Sequence, residues 1–469
     1  MTSSAIIAAP RPTGPTQSGD RTERAPRPRT VLIVFDTHTP YLAFRVRELW
    51  KAMCARGLDR LLRLEVVLLA LDEPTYQWND AGLSDLYGGV PVRALTDRFR
   101  GLGFSTYFRW TTIKSCLRIA TILLRMRPCI TFVGGYDRPE SIEIALLSYL
   151  IGNKVGPLHD SRFNDVESYR KSVWLEWVKG FVLRQFDFFM CSGRECVEYS
   201  QFLAGSAKPA YQAAWDMVDN ETIGRLAERS ELDAKILAHF RLEPNTRFFL
   251  MPIRFIAKKN ARMVIDAYDE YRRRIEREGR TPAKLIICGK GSLEAEYREQ
   301  IERLGLKSLV GMSPWLSNQD MPRACRLSQC LILASTHDQW GMTINEALAA
   351  GAPVLCSNRA GAHELVQNYV NGFTFDPWQP QHLAELMAAM GNDQTLVERM
   401  RGRAAESVKG FSIDQWNAAC FAVFRRFAGV DVAEIAPHVE DAADTKFHGD
   451  REASDQTAEA APAHAVAAR

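Results

Sequence analysis

Short apolar runs rich in β-branched residues alternate with helix-like patterns along most of this chain, and this alternation restricts the possible folds more than any other feature. The first run, at residues 29–35, is a continuous hydrophobic stretch typical of a parallel strand that is buried on both faces. A polar turn follows it, and then a helical pattern over 41–56. Because strands that alternate with helices form parallel sheets covered on both faces, the pattern predicts an α/β protein.

The alternation is interrupted once, at about residues 205–222, and then starts again. The expected strands are 29–35, 64–71, 129–133 and 186–191 before the interruption and 247–252, 284–288, 330–334 and 353–356 after it. The expected helices are 41–56, 139–150, 173–184, 261–274, 293–304, 343–350, 382–389, 394–407 and 413–427, and a polar loop is expected at 158–165. Two αβ units of similar size, joined by a short linker, predict two Rossmann-like parallel-sheet domains that face each other across a cleft.

The two ends of the chain differ from its centre in composition and charge. Residues 1–29 carry about +3 and residues 429–469 about −6, which leaves about +6 on the part between them out of a net charge of +3. Such a mildly basic body gives no reason to expect a nucleic-acid partner. The expected divisions are a disordered tail at 1–28, an N-terminal domain at 29–210, a C-terminal domain at 222–390, closing helices at 391–428 and a disordered acidic tail at 429–469.

Hydropathy and cysteine content predict the compartment. No apolar run is long enough to cross a membrane, and the N-terminus lacks the pattern of a secretory signal. The ten cysteines form no CxxC pair and no zinc-like pattern with histidine. They are therefore interpreted as buried thiols in a reducing compartment rather than as a disulfide framework, and a cytoplasmic protein is expected.

The segment 335–354 carries the strongest chemical signal. A strand is expected to end at Ala334 and a helix to start near Thr343, so the loop between them leads into a helix start whose backbone N–H groups can bind an anion. Asp338 and Glu346 bracket this position and can accept hydrogen bonds from hydroxyls at either end of a diphosphate-linked sugar nucleotide. On this segment alone, the alternative that the two acids only cap and charge the helix start remains open.

A second group of candidates follows the first strand of the C-terminal half. Arg254 and Lys259 are suited to phosphate oxygens, because arginine binds them in a bidentate manner and lysine supplies a point charge. The alternative is a solvated basic face. Both candidate segments fall at the same edge of one predicted sheet, which favours a binding site.

Residues 247–380 resemble the donor domain of the retaining glycosyltransferase family 4, a group of proteins with the GT-B fold. Six motifs match in order along about 120 residues: Arg254–Lys259–Asn260, Gly289-Lys290-Gly291, 312–316 with Trp315 and Leu316, Asp338-Gln-Trp340-Gly341-x4-Glu346, 346–354, and 361–364. The resemblance implies a GT-B architecture, with an acceptor-side N-terminal domain and a donor-binding C-terminal domain.

The resemblance also implies an activity and residue roles. The implied activity is metal-independent transfer of a hexose, with retention, from a nucleoside diphosphate sugar to a hydroxyl of a glycan or lipid-linked acceptor, in polysaccharide or glycolipid synthesis. No cofactor is implied besides that donor substrate. The implied catalytic residues are Arg254, Lys259, Asp338 and His159. The implied donor-binding residues are Glu346, Trp340, Gly341, Met342, Thr343, Gly289, Trp315 and Leu316.

Departures from the family pattern leave alternatives open. Asp338 stands where the family usually has glutamate, and the N-terminal half lacks the glycine-rich loop often found after the first strand. His159 has the alternative of an ordinary loop histidine. A GT-B-type sugar-nucleotide epimerase and a non-catalytic glycosyltransferase-like subunit are the main alternatives; a glycogen-type phosphorylase would need a pyridoxal lysine and a much longer chain.

Residues 98–127 predict a further partner. They contain seven basic residues and no acid, interleaved with aromatic and aliphatic residues. Bases beside bulky apolar side chains suit a segment that lies in the headgroup layer of an anionic membrane, so peripheral association with the inner face of the membrane is expected. The alternative is a core helix whose long basic side chains reach water.

Overall fold

The structure is a computed structural model that describes residues 28–70, 83–96, 110–163, 173–204 and 208–430. Its strands are β1 (Arg29–Thr37), β2 (Leu62–Ala70), β3 (Val92–Ala94), β4 (Ile130–Gly134), β5 (Lys154–His159), β6 (Phe189–Cys191), β7 (Ala210–Tyr211), β8 (Phe248–Arg254), β9 (Lys284–Lys290), β10 (Val310–Ser313), β11 (Leu331–Leu333), β12 (Val354–Ser357) and β13 (Gly372–Phe375). Its helices are α1 (Pro40–Ala55), α2 (Leu83–Leu86), α3 (Trp110–Met126), α4 (Pro139–Ile151), α5 (Val173–Leu183), α6 (Arg194–Ala204), α7 (Asn220–Ala227), α8 (Asp233–Phe240), α9 (Ala261–Arg277), α10 (Glu294–Arg303), α11 (Met321–Leu327), α12 (Met342–Ala349), α13 (Pro380–Asn392), α14 (Gln394–Ser407) and α15 (Ile413–Ala428).

The strands form two parallel sheets with the same doubly wound order. The first sheet runs β3-β2-β1-β4-β5-β6-β7 and the second runs β10-β9-β8-β11-β12-β13. In each sheet the order reverses once, between β1 and β4 and between β8 and β11, and ligands of such sheets bind outside the carboxyl ends of the strands at that point. The predicted α/β class, with two Rossmann-like parallel-sheet domains, is confirmed.

Apolar runs form the central strands because both faces of each sheet are covered. In β1, the side chains from Val31 to Val34 are at most 2% exposed. In β8, Phe249 to Met251 are fully buried and belong to the cores on the two faces of the second sheet. Near-continuous hydrophobicity is the sequence pattern that such two-sided burial requires.

The last helix connects the two halves of the molecule. α14 contributes Val397 and Met400 to a core of the second sheet, whereas α15 packs against the first sheet. Trp416 of α15 is fully buried, its ring lies near Phe132, and its Nε1 donates to the carbonyl oxygen of Arg45 over 3.2 Å. The chain therefore returns to its first domain after completing the second.

Several expectations need correction. Strands β3, β5, β7, β10 and β13 were not predicted, and His159, expected in a loop at 158–165, is the last residue of β5. Gly156 and Pro157 weaken the strand pattern of β5, yet the glycine is required because an added Cβ would lie 2.3 Å from the Phe188 ring.

The other expectations concern the two tails and the membrane. Apart from Pro28, Gly429 and Val430, the predicted disordered tails lie outside the described residues, and Val430 is buried in the first core. Among the helices of the described part, none combines the length and apolar character needed to cross a membrane.

Candidate active site

Two loops meet at the carboxyl edge of the second sheet, where its strand order reverses. β8 ends at Arg254 and leads into a 3-10 turn at Ala257–Lys259. β11 ends at Leu333 and leads through a loop into α12. A hydrogen bond from the backbone N–H of Thr336 to the carbonyl of Lys258 (2.9 Å) joins the two loops. The fold thus brings the two predicted groups of charged residues to one crevice.

An ion pair between Lys259 and Asp338 lies in this crevice. Their side chains are 13% and 15% exposed, and Ser335 Oγ donates to Asp338 Oδ2 over 3.1 Å. Burial raises the pKa of the Asp338 carboxyl, but the charges of Lys259 and Lys258 outweigh it and leave the pKa below its ordinary value. Burial lowers the pKa of the Lys258 ammonium; the charge of Asp338 opposes this in part, and the charges of Lys259 and Arg254 add to it. An ionised carboxylate is therefore surrounded by several cationic side chains.

The start of α12 supplies backbone donors to the same crevice. Gly341 precedes the helix with a φ of 96°, a left-handed conformation that glycine adopts without strain. An added Cβ would lie 2.8 Å from Leu333 Cδ2. In the described part of the chain no side chain caps this helix start, so the amides of Met342 and Thr343 are available to an anion.

Glu346, in the second turn of α12, is held by the other domain. The hydroxyl of Tyr41, in the first turn of α1, donates to Glu346 Oε1 over 3.0 Å. Burial raises the pKa of Glu346 to about 7, and the hydrogen bond from Tyr41 lowers it only in part. A carboxyl group that titrates near neutrality therefore lies where the two domains meet.

Arg162 fixes the loop that carries Asp338. Its side chain is only 2% exposed and donates to the carbonyl oxygens of Asp338 (3.0 Å) and Arg359 (2.8 Å). Its second terminal nitrogen forms an ion pair with Glu195 over 2.9 Å. Because Arg162 and Glu195 follow strands of the first sheet, these contacts bridge the cleft.

A second contact bridges the cleft at the start of α6. Glu364, within the predicted motif at 361–364, accepts from the backbone N–H groups of Arg194 and Glu195, each over 2.8 Å. A Cβ added to Gly193 would lie 2.6 Å from the Trp340 ring and 2.9 Å from the Glu364 carboxylate. The two domains are therefore in close contact, and Glu364 of the second domain caps the N-terminus of α6 in the first.

Gly289 and Gly291 allow the backbones of two strand ends to approach each other. Their φ values are 152° and 159°. A Cβ at Gly289 would lie 1.9 Å from the carbonyl oxygen of Ile253, and one at Gly291 would lie 2.6 Å from that of Phe255. These glycines therefore set the backbone on either side of Arg254, whereas a direct contact of Gly289 with the donor stays a prediction.

The three apolar candidates differ in exposure. Trp315 is 40% exposed and can present its ring to a ligand, whereas Leu316 is 8% exposed and packs in a core of the second sheet. Trp340 is 3% exposed and stacks on Phe411 with ring centroids 6.0 Å apart. Leu316 and Trp340 thus belong to the packed interior, and their contact with the donor stays a prediction.

His159 does not join the charged crevice through the contacts that the structure shows. Its imidazole is 3% exposed, with Nε2 3.0 Å from Ser200 Oγ and Nδ1 3.5 Å from Cys196 Sγ. The ring also lies edge-on to Tyr136, with centroids 5.2 Å apart. All these neighbours belong to the first domain, and the contact of His159 with the donor sugar stays a prediction.

Sequence reasoning missed Tyr41 and Arg162. Tyr41 opens the predicted helix 41–56, and Arg162 lies in the predicted polar segment 158–165, but neither belongs to a recognised motif. Their partners are 305 and 176 residues away in the chain, on the opposite domain. The structural signal for Arg162 is its burial within a polar segment, and burial is not visible in the sequence.

Two doubly wound parallel sheets, with cations and a helix start gathered at the edge of the second, define the GT-B class. Sucrose-phosphate synthase from Thermosynechococcus elongatus superposes with a TM-score of 0.63 at 14% identity, over 86% of this chain and 100% of that one. HepE from Anabaena, in complex with UDP and glucose, superposes with a TM-score of 0.60 at 16% identity, over 85% of this chain and 100% of that one. At these identities the likeness shows the fold alone, and it confirms the predicted GT-B fold.

The sequence comparison points to the same family as the motifs. Residues 234–407, in the C-terminal half of the chain, match the model of the family described as glycosyl transferases group 1. α-D-kanosaminyltransferase from Streptomyces kanamyceticus is 25% identical over 197 residues, which is 42% of this chain and 47% of that protein. Chitobiosyldiphosphodolichol β-mannosyltransferase from Kluyveromyces lactis is 26% identical over 178 residues, which is 37% of this chain and 39% of that protein. The chain thus matches less than half the length of these curated relatives.

Proposed function

We propose that this protein transfers a hexose, with retention of configuration, from a nucleoside diphosphate sugar to a hydroxyl group of a glycan or lipid-linked acceptor. The observation that carries this proposal is the Lys259–Asp338 pair beside the uncapped start of α12. The pair combines a cation for phosphate oxygens with a carboxylate for sugar hydroxyls. The match of residues 234–407 to the glycosyl transferases group 1 model, and the structurally similar HepE that was crystallised with UDP and glucose, support the same choice of donor.

Each charged group has a defined task in this proposal. When the glycosidic bond breaks, negative charge grows on the leaving diphosphate, and Arg254, Lys259 and the first amides of α12 stabilise it. Lys259 exchanges its partner Asp338 for a phosphate oxygen, and Asp338 then accepts from hydroxyls of the sugar. Because side chains supply the positive charge, we propose that the reaction needs no metal ion and no further cofactor.

The other end of the donor is placed against Glu346 and Trp315. Glu346 accepts hydrogen bonds from the ribose hydroxyls, in exchange for the hydrogen bond that it accepts from the Tyr41 hydroxyl in the structure. The exposed ring of Trp315 contacts the base. In this arrangement Tyr41 and Arg162 couple donor binding to the position of the first domain, because each contacts a proposed donor-binding element of the second domain.

The acceptor is proposed to reach the site from a membrane surface. The predicted segment 98–127 is described from Trp110 onward, as α3. One side of α3 is buried through Ile119 and Leu123, while the other side exposes apolar and basic residues together: Ile113, Lys114, Leu117, Arg118, Leu124 and Arg125. We call these six residues the outer face of α3. The buried side of α3 packs in the core, and we propose that the outer face contacts an anionic headgroup layer.

A donor-consumption screen tests the proposed reaction. The full chain is incubated with a panel of nucleoside diphosphate sugars, with glycan and lipid-linked acceptors, and free nucleoside diphosphate is measured. We expect release that depends on one donor and increases with an acceptor. Conversion of the sugar nucleotide without release of nucleoside diphosphate would instead indicate the epimerase. If no sugar nucleotide of the panel is bound or converted, the result would indicate the non-catalytic subunit.

A further inference from the structure

Four side chains converge in the interior of the first domain, behind the carboxyl edge of its sheet. His159 ends β5, Cys191 ends β6, and Cys196 and Ser200 lie one turn apart on α6. All four are at most 3% exposed. Among the residues that the structure describes, His159, Cys191 and Cys196 are the one group of three or more histidine, cysteine or acidic side chains arranged to hold a metal ion.

The fold creates this convergence from positions that are distant in the chain. β5 and β6 are adjacent parallel strands with His159 paired to Cys191, so both side chains lie at the same level of the sheet. α6 follows β6 after a short turn and places Cys196 and Ser200 over that level. The sequence separation of 32 residues between His159 and Cys191 explains why no zinc-like pattern was visible in the sequence.

The separations between the potential ligand atoms are those of a tetrahedral site. His159 Nε2 lies 3.8 Å from Cys191 Sγ and 3.9 Å from Cys196 Sγ. Zinc bonds of about 2.3 Å to sulfur and about 2.0–2.1 Å to nitrogen, at tetrahedral angles, separate N and S by about 3.6 Å. The two nitrogen–sulfur separations thus exceed this value by only a few tenths of an ångström, and all three ligand atoms lie within 4.8 Å of one another.

Ser200 lies at the fourth position. Its Oγ is 3.0 Å from His159 Nε2 and 3.7 Å from Cys191 Sγ. Its hydroxyl proton is directed to the carbonyl oxygen of Cys196 over 2.7 Å, which leaves oxygen lone pairs for the centre of the group. The fourth ligand is thus an oxygen, from the serine or from a water molecule beside it.

We propose that His159, Cys191 and Cys196, with Ser200 at the fourth position, bind one zinc ion in the first domain. Two sulfurs, one imidazole and one oxygen in tetrahedral arrangement suit zinc better than magnesium or calcium, which prefer oxygen ligands. Zinc binding displaces the protons of the two thiols to solvent, and no oxidation or reduction takes place. The site assigns His159 a structural role in place of the predicted contact with the donor sugar.

The position of the site gives it a consequence for the cleft. Cys196 lies in the first turn of α6, whose N-terminal amides are bound by Glu364 of the second domain. Glu195, beside Cys196, forms the ion pair with Arg162, which holds the loop of Asp338. Zinc would fix α6 to β5 and β6 and thereby fix the surface against which the donor-binding loop rests. It does not contact the donor.

Metal content and a cobalt spectrum test this proposal. The full chain is produced with zinc in the medium, kept reduced, freed of loosely bound metal and analysed by elemental mass spectrometry. We expect about one zinc per chain, a tetrahedral thiolate–cobalt(II) absorption spectrum on exchange with cobalt, and loss of that spectrum when zinc is added back. Zinc should also raise the melting temperature of the metal-free protein.

Variants separate the site from other thiols. Cys191→Ala and Cys196→Ala should lose the zinc and the thiolate–cobalt band, whereas Cys330→Ala and Cys356→Ala, which remove buried thiols elsewhere, should retain both. Since a buried variant can fail to fold, the decisive measurement is made on the wild-type chain. Folded, reduced wild-type protein that contains no zinc and gives no thiolate–cobalt band would overturn the proposal, as would an unchanged band in the folded Cys191→Ala variant. Neither readout depends on transfer activity, so this test and that of the proposed function fail independently.

Discussion

At the scale of single residues, the carboxyl groups of Asp338 and Glu346 lie in opposite electrostatic environments. Asp338 has cationic neighbours that leave its pKa below the ordinary value, whereas burial raises the pKa of Glu346 to about 7. The two acids were assigned to the two ends of a sugar nucleotide from their spacing alone. Their environments now distinguish them: one is ionised throughout the physiological range, and the other titrates within it.

The raised pKa of Glu346 predicts a pH dependence of nucleotide binding. The ribose hydroxyls donate to the carboxylate, so binding favours the ionised form, and affinity should increase as the pH rises through about 7. Glu346→Gln should remove this dependence. Calorimetric titrations of the preferred nucleoside diphosphate at several pH values check it, and ionisation of the phosphate cancels because it affects both proteins alike. An identical pH profile in wild type and variant would contradict the assignment.

The basic residues of the same crevice should affect the chemical step more than ground-state binding. Arg254→Ala and Lys259→Ala each remove a group that stabilises charge growing in the transition state, so each should lower kcat by a factor on the order of 100, with a smaller change in KM. Steady-state kinetics with the identified donor measures both parameters. An effect confined to KM would show that the residue binds the ground state only. Activity should also survive EDTA; a loss restored by Mg²⁺ or Mn²⁺ would contradict metal independence.

At the scale of elements, the close approach of two strand ends predicts an effect on stability. Gly289→Ala would bring a Cβ to 1.9 Å from the carbonyl oxygen of Ile253, so the backbone beside Arg254 must shift. We expect a loss of about 1–3 kcal/mol in the free energy of unfolding, together with weaker nucleotide binding. Gly402→Ala is the control, because Gly402 lies within α14 with no atom within 4 Å of the added Cβ, and helix propensity predicts a gain of about 0.5–1 kcal/mol. Urea denaturation measures the free energy of unfolding of both variants. A Gly289→Ala protein with the free energy of unfolding of the wild type would contradict the close packing.

The outer face of α3 predicts membrane binding that depends on charge. Vesicles with anionic lipid should bind the full chain at low salt and release it as salt rises, because each base near the surface contributes about 1 kcal/mol. Lys114→Glu combined with Arg118→Glu should abolish binding. Arg273→Glu combined with Arg277→Glu, on the surface of α9, should leave it intact. Co-sedimentation that is equal for the two double variants would exclude this face as the anchor.

The elements with uniform patterns were predictable, and the irregular ones were not. β1, β2, β8 and β9 each contain an apolar run of several residues, and their positions were predicted to within a few residues. β5 was missed because Gly156 and Pro157 interrupt its pattern, although the glycine is required by the Phe188 ring. β3 and β7 are only three and two residues long, too short for periodicity to appear. Local patterns thus reveal elements that bury both faces and overlook those defined by their neighbours.

At the scale of the whole molecule, the site depends on contacts that no local pattern contains. The charged residues that the fold gathers at the edge of the second sheet could be named from the sequence, because they occur within 120 residues of continuous motifs. Their contact with a donor stays a prediction. Tyr41 and Arg162 could not, because their roles exist only once the first domain rests against α12 and the Asp338 loop. The return of α15 to the first core, through Trp416, holds the domains in this relation. The neighbours of His159 could not be predicted either, because they come from the adjacent strand β6 and from α6, which are distant in the chain.

The central claim is that the carboxyl edge of the second sheet binds the nucleoside diphosphate, and calorimetry tests it most directly. The preferred nucleoside diphosphate is titrated into wild type, into the double variant Arg254→Ala/Glu346→Ala, and into the control Arg273→Ala/Glu276→Ala, which removes the same charges from the exposed surface of α9. Loss of the carboxylate alone should cost about 1.5–3 kcal/mol, so the site variant should bind at least about 10-fold more weakly, and the control should bind like wild type. Equal affinity of the folded site variant and the wild type would show that the nucleotide binds elsewhere.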